Sequence, residues 1–191
     1  MNKNRLEAFS DGVLAIIITI MMLEIKTPHS NSLESLTPLI PVFFSYVLSF
    51  VYVGIYWNNH HHMFQAVKKI NGSILWGNLF LLFWLSLIPF ATSWIGAQNF
   101  STIPMSCYGF VLLMCAISYF TLQKKIIRHE GKDSLLYRAV QKDIKGKISL
   151  FCYVIAIPLT FLSPWISGLL YTLVALMWIV PDRRIERQIN N

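Results

Sequence analysis

Long uncharged stretches dominate this chain and alternate with short charged segments. No Asp, Glu, Lys or Arg occurs within residues 35–67, 70–123 or 148–180. Crossing the hydrocarbon core of a bilayer takes about 20 helical residues at ~1.5 Å rise each, so every stretch is long enough for at least one crossing. The middle stretch would form a helix roughly 80 Å long if it were continuous, so it must fold back on itself.

Turn-forming residues indicate where the longer stretches fold back. The segment 96–104, GAQNFSTIP, divides the middle stretch, and Ser163-Pro164 divides the last one. A further apolar run follows Asp11. The pattern therefore predicts an all-α membrane protein with a single domain over residues 1–191 and six transmembrane helices per subunit. These helices are expected at residues 8–25, 38–57, 73–95, 103–122, 148–162 and 165–180.

Composition and charge agree with this class and predict its orientation. Hydrophobic residues make up 55% of the chain and charged residues only 13%, against about 25% in soluble domains. With a cytoplasmic amino terminus, six crossings place fifteen of the 16 Lys and Arg residues on the cytoplasmic side and leave only Lys26 outside. Both termini are therefore predicted to be cytoplasmic. The net charge of +7 reflects this topology. A nucleic-acid partner is not expected, because the sequence has no basic segment interleaved with aromatic residues.

Residues 124–147 form the one sizeable charged region, a cytoplasmic linker with eight basic and three acidic residues. The apolar spacing of Leu135, Leu136, Val140 and Ile144 suits a short amphipathic helix at the membrane surface. Two interpretations remain open for this linker: an ordinary positive-inside loop, or a surface for anionic lipid headgroups.

The first apolar run has a carboxylate at each end. Only twelve residues separate Asp11 from Glu24, too few to span the hydrocarbon, so at least one carboxylate must face protein or water near hydrocarbon depth. At about 100° per residue, Asp11 projects about 140° away from Ile16. A stripe on this helix consists of Gly12, Ile16, Thr19, Ile20 and Leu23. On pattern alone, such a stripe is typical of a helix-packing seam.

Three groups of motifs resemble a known family. They are Arg5-x-x-x-Phe9-Ser10-Asp11-Gly12 with Ala15-Ile16, Thr19 and Leu23-Glu24; Trp57-x-x-His60-His61-x-Met63-Phe64; and Asn78-Leu79-Phe80-Leu81-Leu82 with Pro89-Phe90-Ala91-Thr92. In order and spacing they resemble the first three membrane segments of the transmembrane protein 175 family of potassium channels, in its short bacterial form. The second half of the chain is similar only in span count and loop charge.

The resemblance implies a channel that conducts K⁺ through a central pore lined by the first helix. A chain with one six-helix repeat is then expected to form a homotetramer in the bacterial inner membrane. By motif position Ile16 would form the narrowest ring, Thr19 a hydroxyl ring that contributes to selectivity, and Leu23 a further apolar ring. Such aliphatic rings close a narrow pore by dewetting and favour the more weakly hydrated K⁺ over Na⁺. The chain has no Thr-Val-Gly-Tyr-Gly loop, which excludes the carbonyl-lined filter of ordinary potassium channels.

The resemblance also implies a polar network that supports the pore helix. Its candidate members are Arg5, Phe9, Ser10, Asp11, Trp57, His60, His61 and Asn78. A satisfied network would fix the first helix in register, and direct ion conduction by Asp11 is the alternative. Adjacent histidines on a helix point about 100° apart, so residues 60–62 do not converge on one metal ion. K⁺ is expected as a permeant ion only, with no fixed metal site and no cofactor.

Two other classes of protein compete with the channel. A proton- or sodium-coupled secondary transporter is the main alternative, but transporters usually show broken helices, paired half-repeats and several midplane ionisable groups, and this chain offers few beyond Asp11. An enzyme is not expected, because the predicted spans contain no second aspartate for a dyad and no Ser–His pairing at useful spacing.

Overall fold

The computed structural model describes residues 2–28, 30–131, 133–140 and 143–179. Within these residues every regular element is a helix and none is a strand, which confirms the all-α prediction. The elements are α1 Lys3–Leu23, a 3-10 helix Leu33–Leu39, α2 Ile40–Gln65, α3 Gly72–Leu85, α4 Ile88–Ala97, α5 Thr102–Glu130, α6 Leu135–Val140, α7 Ile144–Leu159 and α8 Pro164–Ile179. Some residues of the charge count lie outside the described residues, namely Lys132, Lys142, Arg183, Arg184 and Arg187, as does Val180 at the end of the sixth predicted helix.

Four segments are long and apolar enough to cross a membrane. They are Lys3–Leu23, Leu33–Gln65, Gly72–Ala97 and Thr102–Glu130, and they correspond to the first four predicted crossings. α8 is a shorter apolar helix of 16 residues, and α7 has the same length. The chain is thus a helical membrane protein.

The third predicted crossing, residues 73–95, is divided in the structure. α3 ends at Leu85 and α4 begins at Ile88, with Ser86 and Leu87 between them. Pro89 lies in the first turn of α4 and has no amide hydrogen, so the helical hydrogen bond to the Leu85 carbonyl cannot form. α3 packs mainly on α5, whereas α4 packs on α2 and also contacts α1.

α5 continues eight residues beyond its predicted end at residue 122. Hydropathy detects only the apolar part of a helix, whereas α5 extends into the charged linker as far as Glu130. One carboxylate oxygen of Glu130 accepts hydrogen bonds from the backbone N–H groups of Lys68, at 3.0 Å, and Lys69, at 3.1 Å. The side-chain amide of Asn71 donates to Nδ1 of His129 at 3.1 Å. The extension of α5 therefore holds the connection between α2 and α3.

α6 lies within the segment for which an amphipathic helix was expected. Leu136 and Ala139 are buried, whereas Arg138 is exposed. The apolar side of this short helix therefore packs against the protein.

Four tyrosines form the centre of the helix bundle, and they are contributed by α2, α5, α7 and α8. Tyr52, Tyr108, Tyr153 and Tyr171 are all buried, and their rings lie in mutual edge or tilted contacts with centroids 5.8–6.5 Å apart. The Tyr52 hydroxyl donates to the Tyr171 carbonyl at 2.6 Å, and the Tyr153 hydroxyl donates to the Tyr52 hydroxyl at 3.3 Å. Burying these hydroxyl groups is tolerated because they are hydrogen-bonded.

Candidate functional site

One face of α1 is packed against the rest of the subunit. Its buried residues are Leu6, Ser10, Leu14, Ile17 and Met21, which recur at helical spacing. This face contacts α2, α3 and α4. The rotation of α1 is therefore set by a buried stripe that is apolar except at Ser10.

The opposite face of α1 carries the predicted stripe, which lies on the surface of the subunit. Ile16 is 58% exposed and Leu23 is 79% exposed. Gly12, Thr19 and Ile20 are exposed on the same side. The Thr19 hydroxyl donates to the Ile16 carbonyl at 2.8 Å, so its oxygen lone pairs remain free to accept from water or to approach a cation.

A buried hydrogen-bond chain joins α1, α3 and α2. Oγ of Ser10 donates to the Leu6 carbonyl at 2.9 Å and accepts from Nδ2 of Asn78 at 2.9 Å. Oδ1 of Asn78 lies 2.7 Å from Nε2 of His60, which must therefore carry the hydrogen. The imidazole also packs on the Phe64 ring, with centroids 4.5 Å apart. Three candidate residues from three helices thus satisfy one another away from solvent.

Asp11 belongs to a second, more exposed group. The indole Nε1 of Trp57 donates to one Asp11 carboxylate oxygen at 3.1 Å. His61 stacks on the Trp57 ring at 6.3 Å and 18°, and its Nε2 lies 2.9 Å from Nε2 of Gln65. This group joins the surface of α1 to the C-terminal end of α2.

Arg5 and Phe9 stand apart from both groups. Arg5 is exposed and makes no hydrogen bond or ion pair with the described residues. Phe9 is 51% exposed, next to the stripe on α1. The structure therefore joins six of the eight candidate network residues into two clusters and leaves these two on the subunit surface.

Three hydroxyl residues that the sequence analysis did not assign to a site also connect the helices around α1, namely Ser49, Thr92 and Ser93. The Ser93 hydroxyl on α4 donates to a carboxylate oxygen of Glu24 at 2.9 Å. The buried Thr92 hydroxyl lies 2.6 Å from Oγ of Ser49 on α2, and the Thr92 side chain also donates to the Ile88 carbonyl at 2.7 Å. The detectable signal was the occurrence of isolated hydroxyl residues in otherwise apolar runs, since such groups need partners inside a membrane protein.

A groove between α1 and α4 runs beside the stripe. Its walls include Ile16, Ile20 and Glu24 from α1, and Phe90 and Ser93 from α4. Within the described ranges, no three His, Cys, Asp or Glu side chains are grouped so that they could hold a metal ion. The groove and the exposed stripe offer aliphatic and hydroxyl surface at the centre of α1, with a carboxylate at its end.

The fold and this site define a helical membrane protein whose first helix presents an aliphatic and hydroxyl face on the subunit surface. A family model described as endosomal/lysosomal potassium channel TMEM175 matches residues 5–89. A potassium channel of Chryseobacterium sp. (strain P1-3) is 57% identical over 189 residues, which is 99% of this chain and 98% of that relative. The chain belongs to the TMEM175 family, which confirms the resemblance seen in its motifs.

More distant similarity is found both in sequence and in structure. A potassium channel of Chamaesiphon minutus is 31% identical over 183 residues, which is 85% of this chain and 86% of the relative. The crystal structure of a lysosomal potassium-selective channel TMEM175 homolog from the same organism superposes with a TM-score of 0.82 at 29% identity, covering 94% of this chain and 97% of that one. The fold is therefore shared over nearly the whole length of both chains.

Proposed function

We propose that this protein is a potassium-selective channel of the bacterial inner membrane. The observation that carries the proposal is the exposed stripe of α1 in a chain that matches a potassium channel over nearly its whole length. An aliphatic and hydroxyl surface on a membrane helix can line a water path without burying a charge in hydrocarbon.

The proposed pore is formed by four copies of α1 around a central axis. Ile16 would form the constriction, with Thr19 one turn further out and Leu23 beyond it. Each aliphatic ring would exclude water when the pore is narrow, and K⁺ would lose less hydration energy than Na⁺ in passing. The Thr19 hydroxyl can present its oxygen to a hydrated ion because its hydrogen is already donated to the backbone.

Six crossings with both termini in the cytoplasm are part of the proposal. α7 and α8 have 16 residues each and would be roughly 24 Å long, somewhat shorter than the hydrocarbon core. Local thinning and flanking aromatic or basic side chains can accommodate such a mismatch at modest cost. The positions of the basic linker and of Lys26 support this orientation.

The two polar clusters are proposed to hold α1 in register rather than to conduct ions. The chain from Ser10 through Asn78 to His60 is buried and internally satisfied, so it presents no free group to a permeant ion. Asp11 is oriented by the Trp57 indole. Both clusters attach the cytoplasmic half of α1 to its neighbours.

The cytoplasmic linker is proposed to contact anionic lipid headgroups. Lys124, Arg128, Arg138 and Lys147 are exposed within it. Each well-placed cation near an anionic membrane surface contributes about 1 kcal/mol.

Replacing Ile16 tests the proposed pore. We expect Ile16→Asn to widen and wet the constriction, so that the K⁺ to Na⁺ permeability ratio falls about tenfold or more, since such a change is only about 1.4 kcal/mol of discrimination. The measurement is the reversal potential under bi-ionic K⁺ and Na⁺ conditions, with the purified protein in planar bilayers.

Ile103→Asn is the matched control, because Ile103 is 56% exposed but lies on α5. Its reversal potential should equal that of the unmodified protein. An unchanged reversal potential in Ile16→Asn would place the pore away from α1. Transport that saturates at low turnover, without unitary current steps, would instead identify a coupled transporter.

A further inference from the structure

Glu24 occupies an electrostatically unfavourable position at the end of α1. It is the C-terminal capping residue, directly after Leu23, and it is exposed. The free carbonyl groups of a helix C-terminus carry partial negative charge, so a carboxylate there is repelled and a cation is attracted. A residue that violates a local rule in this way often serves function rather than folding.

The structure nevertheless holds this carboxylate in place. The Ser93 hydroxyl on α4 donates to it at 2.9 Å, and the carboxylate lines the same groove as Ile16 and Ile20. Its charge is therefore kept beside the stripe proposed to line the pore.

Glu24 is one of the few charged residues on the proposed outer face. In the six-crossing topology, the outer segments contain only Glu24, Glu34 and Lys26 as charged residues, a net charge of −1 per subunit against a strongly basic cytoplasmic side. Glu34 lies in the 3-10 helix Leu33–Leu39 and is exposed, whereas Glu24 is attached to α1 itself. Four copies around an axis would surround the outer mouth with four carboxylates and four helix C-termini of the same sign.

We propose that Glu24 raises conductance at low ionic strength by concentrating monovalent cations at the outer mouth of the pore. It acts through long-range attraction and not as a fixed cation site, because one carboxylate per subunit, already bonded to Ser93, does not form a coordination shell. A mouth lined by one sign of charge raises the local counter-ion concentration, and salt screens the effect. The inference rests on the proposed channel function, since it requires α1 to surround the pore.

The test is the unitary inward K⁺ current of the full chain in planar bilayers, with KCl at about 0.01 M and about 1 M, where the Debye lengths are about 30 Å and 3 Å. We expect Glu24→Gln to reduce this current about two- to tenfold at the low concentration and to leave it unchanged at the high one. Glutamine has nearly the same shape and can still accept from Ser93, so the local fold is retained. Glu34→Gln is the control and should change the current much less.

Chemical modification tests the same charge in one folded channel. In Glu24→Cys, a negatively charged methanethiosulfonate reagent added outside should restore the low-salt current, and a positively charged one should reduce it further. The unmodified channel, treated in parallel, gives the baseline for the native cysteines.

Three results would overturn the inference: a current in Glu24→Gln equal to that of the unmodified chain at both concentrations, an equal loss in Glu34→Gln, or the same response of Glu24→Cys to both reagents. Failure of the channel proposal itself is distinguishable, because the unmodified chain would then give no K⁺ current at either concentration.

Discussion

Asn78 shows how a polar residue can organise the interior of a membrane protein. Its side-chain amide donates to Ser10 on α1 and accepts from His60 on α2, and all three residues are buried. Inside a membrane protein no bulk water replaces a lost partner, so removing one member leaves another unsatisfied. The contribution of Asn78 is therefore to fix how three helices are rotated relative to one another.

Asn78→Leu should destabilise the subunit while leaving ion preference intact. The substitution removes the acceptor for the His60 N–H and a donor to Ser10, and stranding such groups costs about 1–3 kcal/mol. The measurement is the thermal unfolding midpoint in detergent, which should fall, together with the reversal potential of the remaining folded channel.

Asn58→Leu is the control for this prediction. Asn58 is partly buried on α2 and makes no hydrogen bond with the described residues, so its replacement should have little effect on the midpoint. A shift as large as that of Asn78→Leu would contradict the role assigned to the buried chain.

The sequence identified these residues as candidates but not their pairing. Ser10, His60 and Asn78 were recognisable because each is polar within a membrane segment. Asp11 bonds to Trp57 and not to the chain of Ser10, Asn78 and His60. This pairing depends on the rotation of each helix to within a few tens of degrees. The boundaries predicted from hydropathy do not determine that rotation, because α3 is apolar on nearly every side.

At the scale of elements, the close approach of α2 and α4 depends on Gly96. A Cβ atom added there would lie 2.7 Å from the Val42 Cα and 2.7 Å from Oγ of Ser45, both on α2. Since one of these contacts is to backbone, the two helices would have to separate. Small residues permit such close packing between membrane helices.

Gly96→Ala is expected to destabilise the subunit despite the better helix propensity of alanine. Overpacking costs about 1–3 kcal/mol, against a gain of up to about 1 kcal/mol from propensity, so the unfolding midpoint should fall. Gly54→Ala on α2 is the matched control, because nothing lies within 4 Å of a Cβ added there. Equal stability of the two variants would show that α2 and α4 are not limited by contact at Gly96.

The elements themselves were predictable to different degrees. Long apolar runs identified the first four crossings, because burial in lipid requires them. The division of residues 73–95 was missed because Pro89 lies inside an apolar run that reads as a single helix. The extension of α5 to Glu130 was missed because its last turns are charged and leave no hydropathy signal.

At the scale of the whole molecule, the proposed pore depends on assembly, because one subunit alone does not enclose an axis. Twelve of the 21 residues of α1 are exposed in the subunit, including residues as apolar as Leu23. In a monomer this face would contact lipid, whereas in a ring of copies it would enclose an axis. The sequence supported a tetramer only through the family resemblance.

We expect the protein solubilised in mild detergent to have a native mass of four 22.0 kDa chains after subtraction of bound lipid and detergent. The heterologous contact of a cyclic assembly would produce this closed ring. Native mass spectrometry measures it directly. A monomer or dimer under conditions that preserve K⁺ current would contradict the four-subunit pore.

The joint formed by Ser86 and Leu87 has a consequence for how this chain tolerates changes in length. Inserting a single residue there would leave α3 on α5 but turn every side chain of α4 by about 100°. Thr92, Ser93 and Gly96 would then all miss their partners at once, although none of them had been altered. We therefore expect insertions or deletions in this joint to be more damaging than substitutions, since the number of residues keeps α4 in phase with its neighbours.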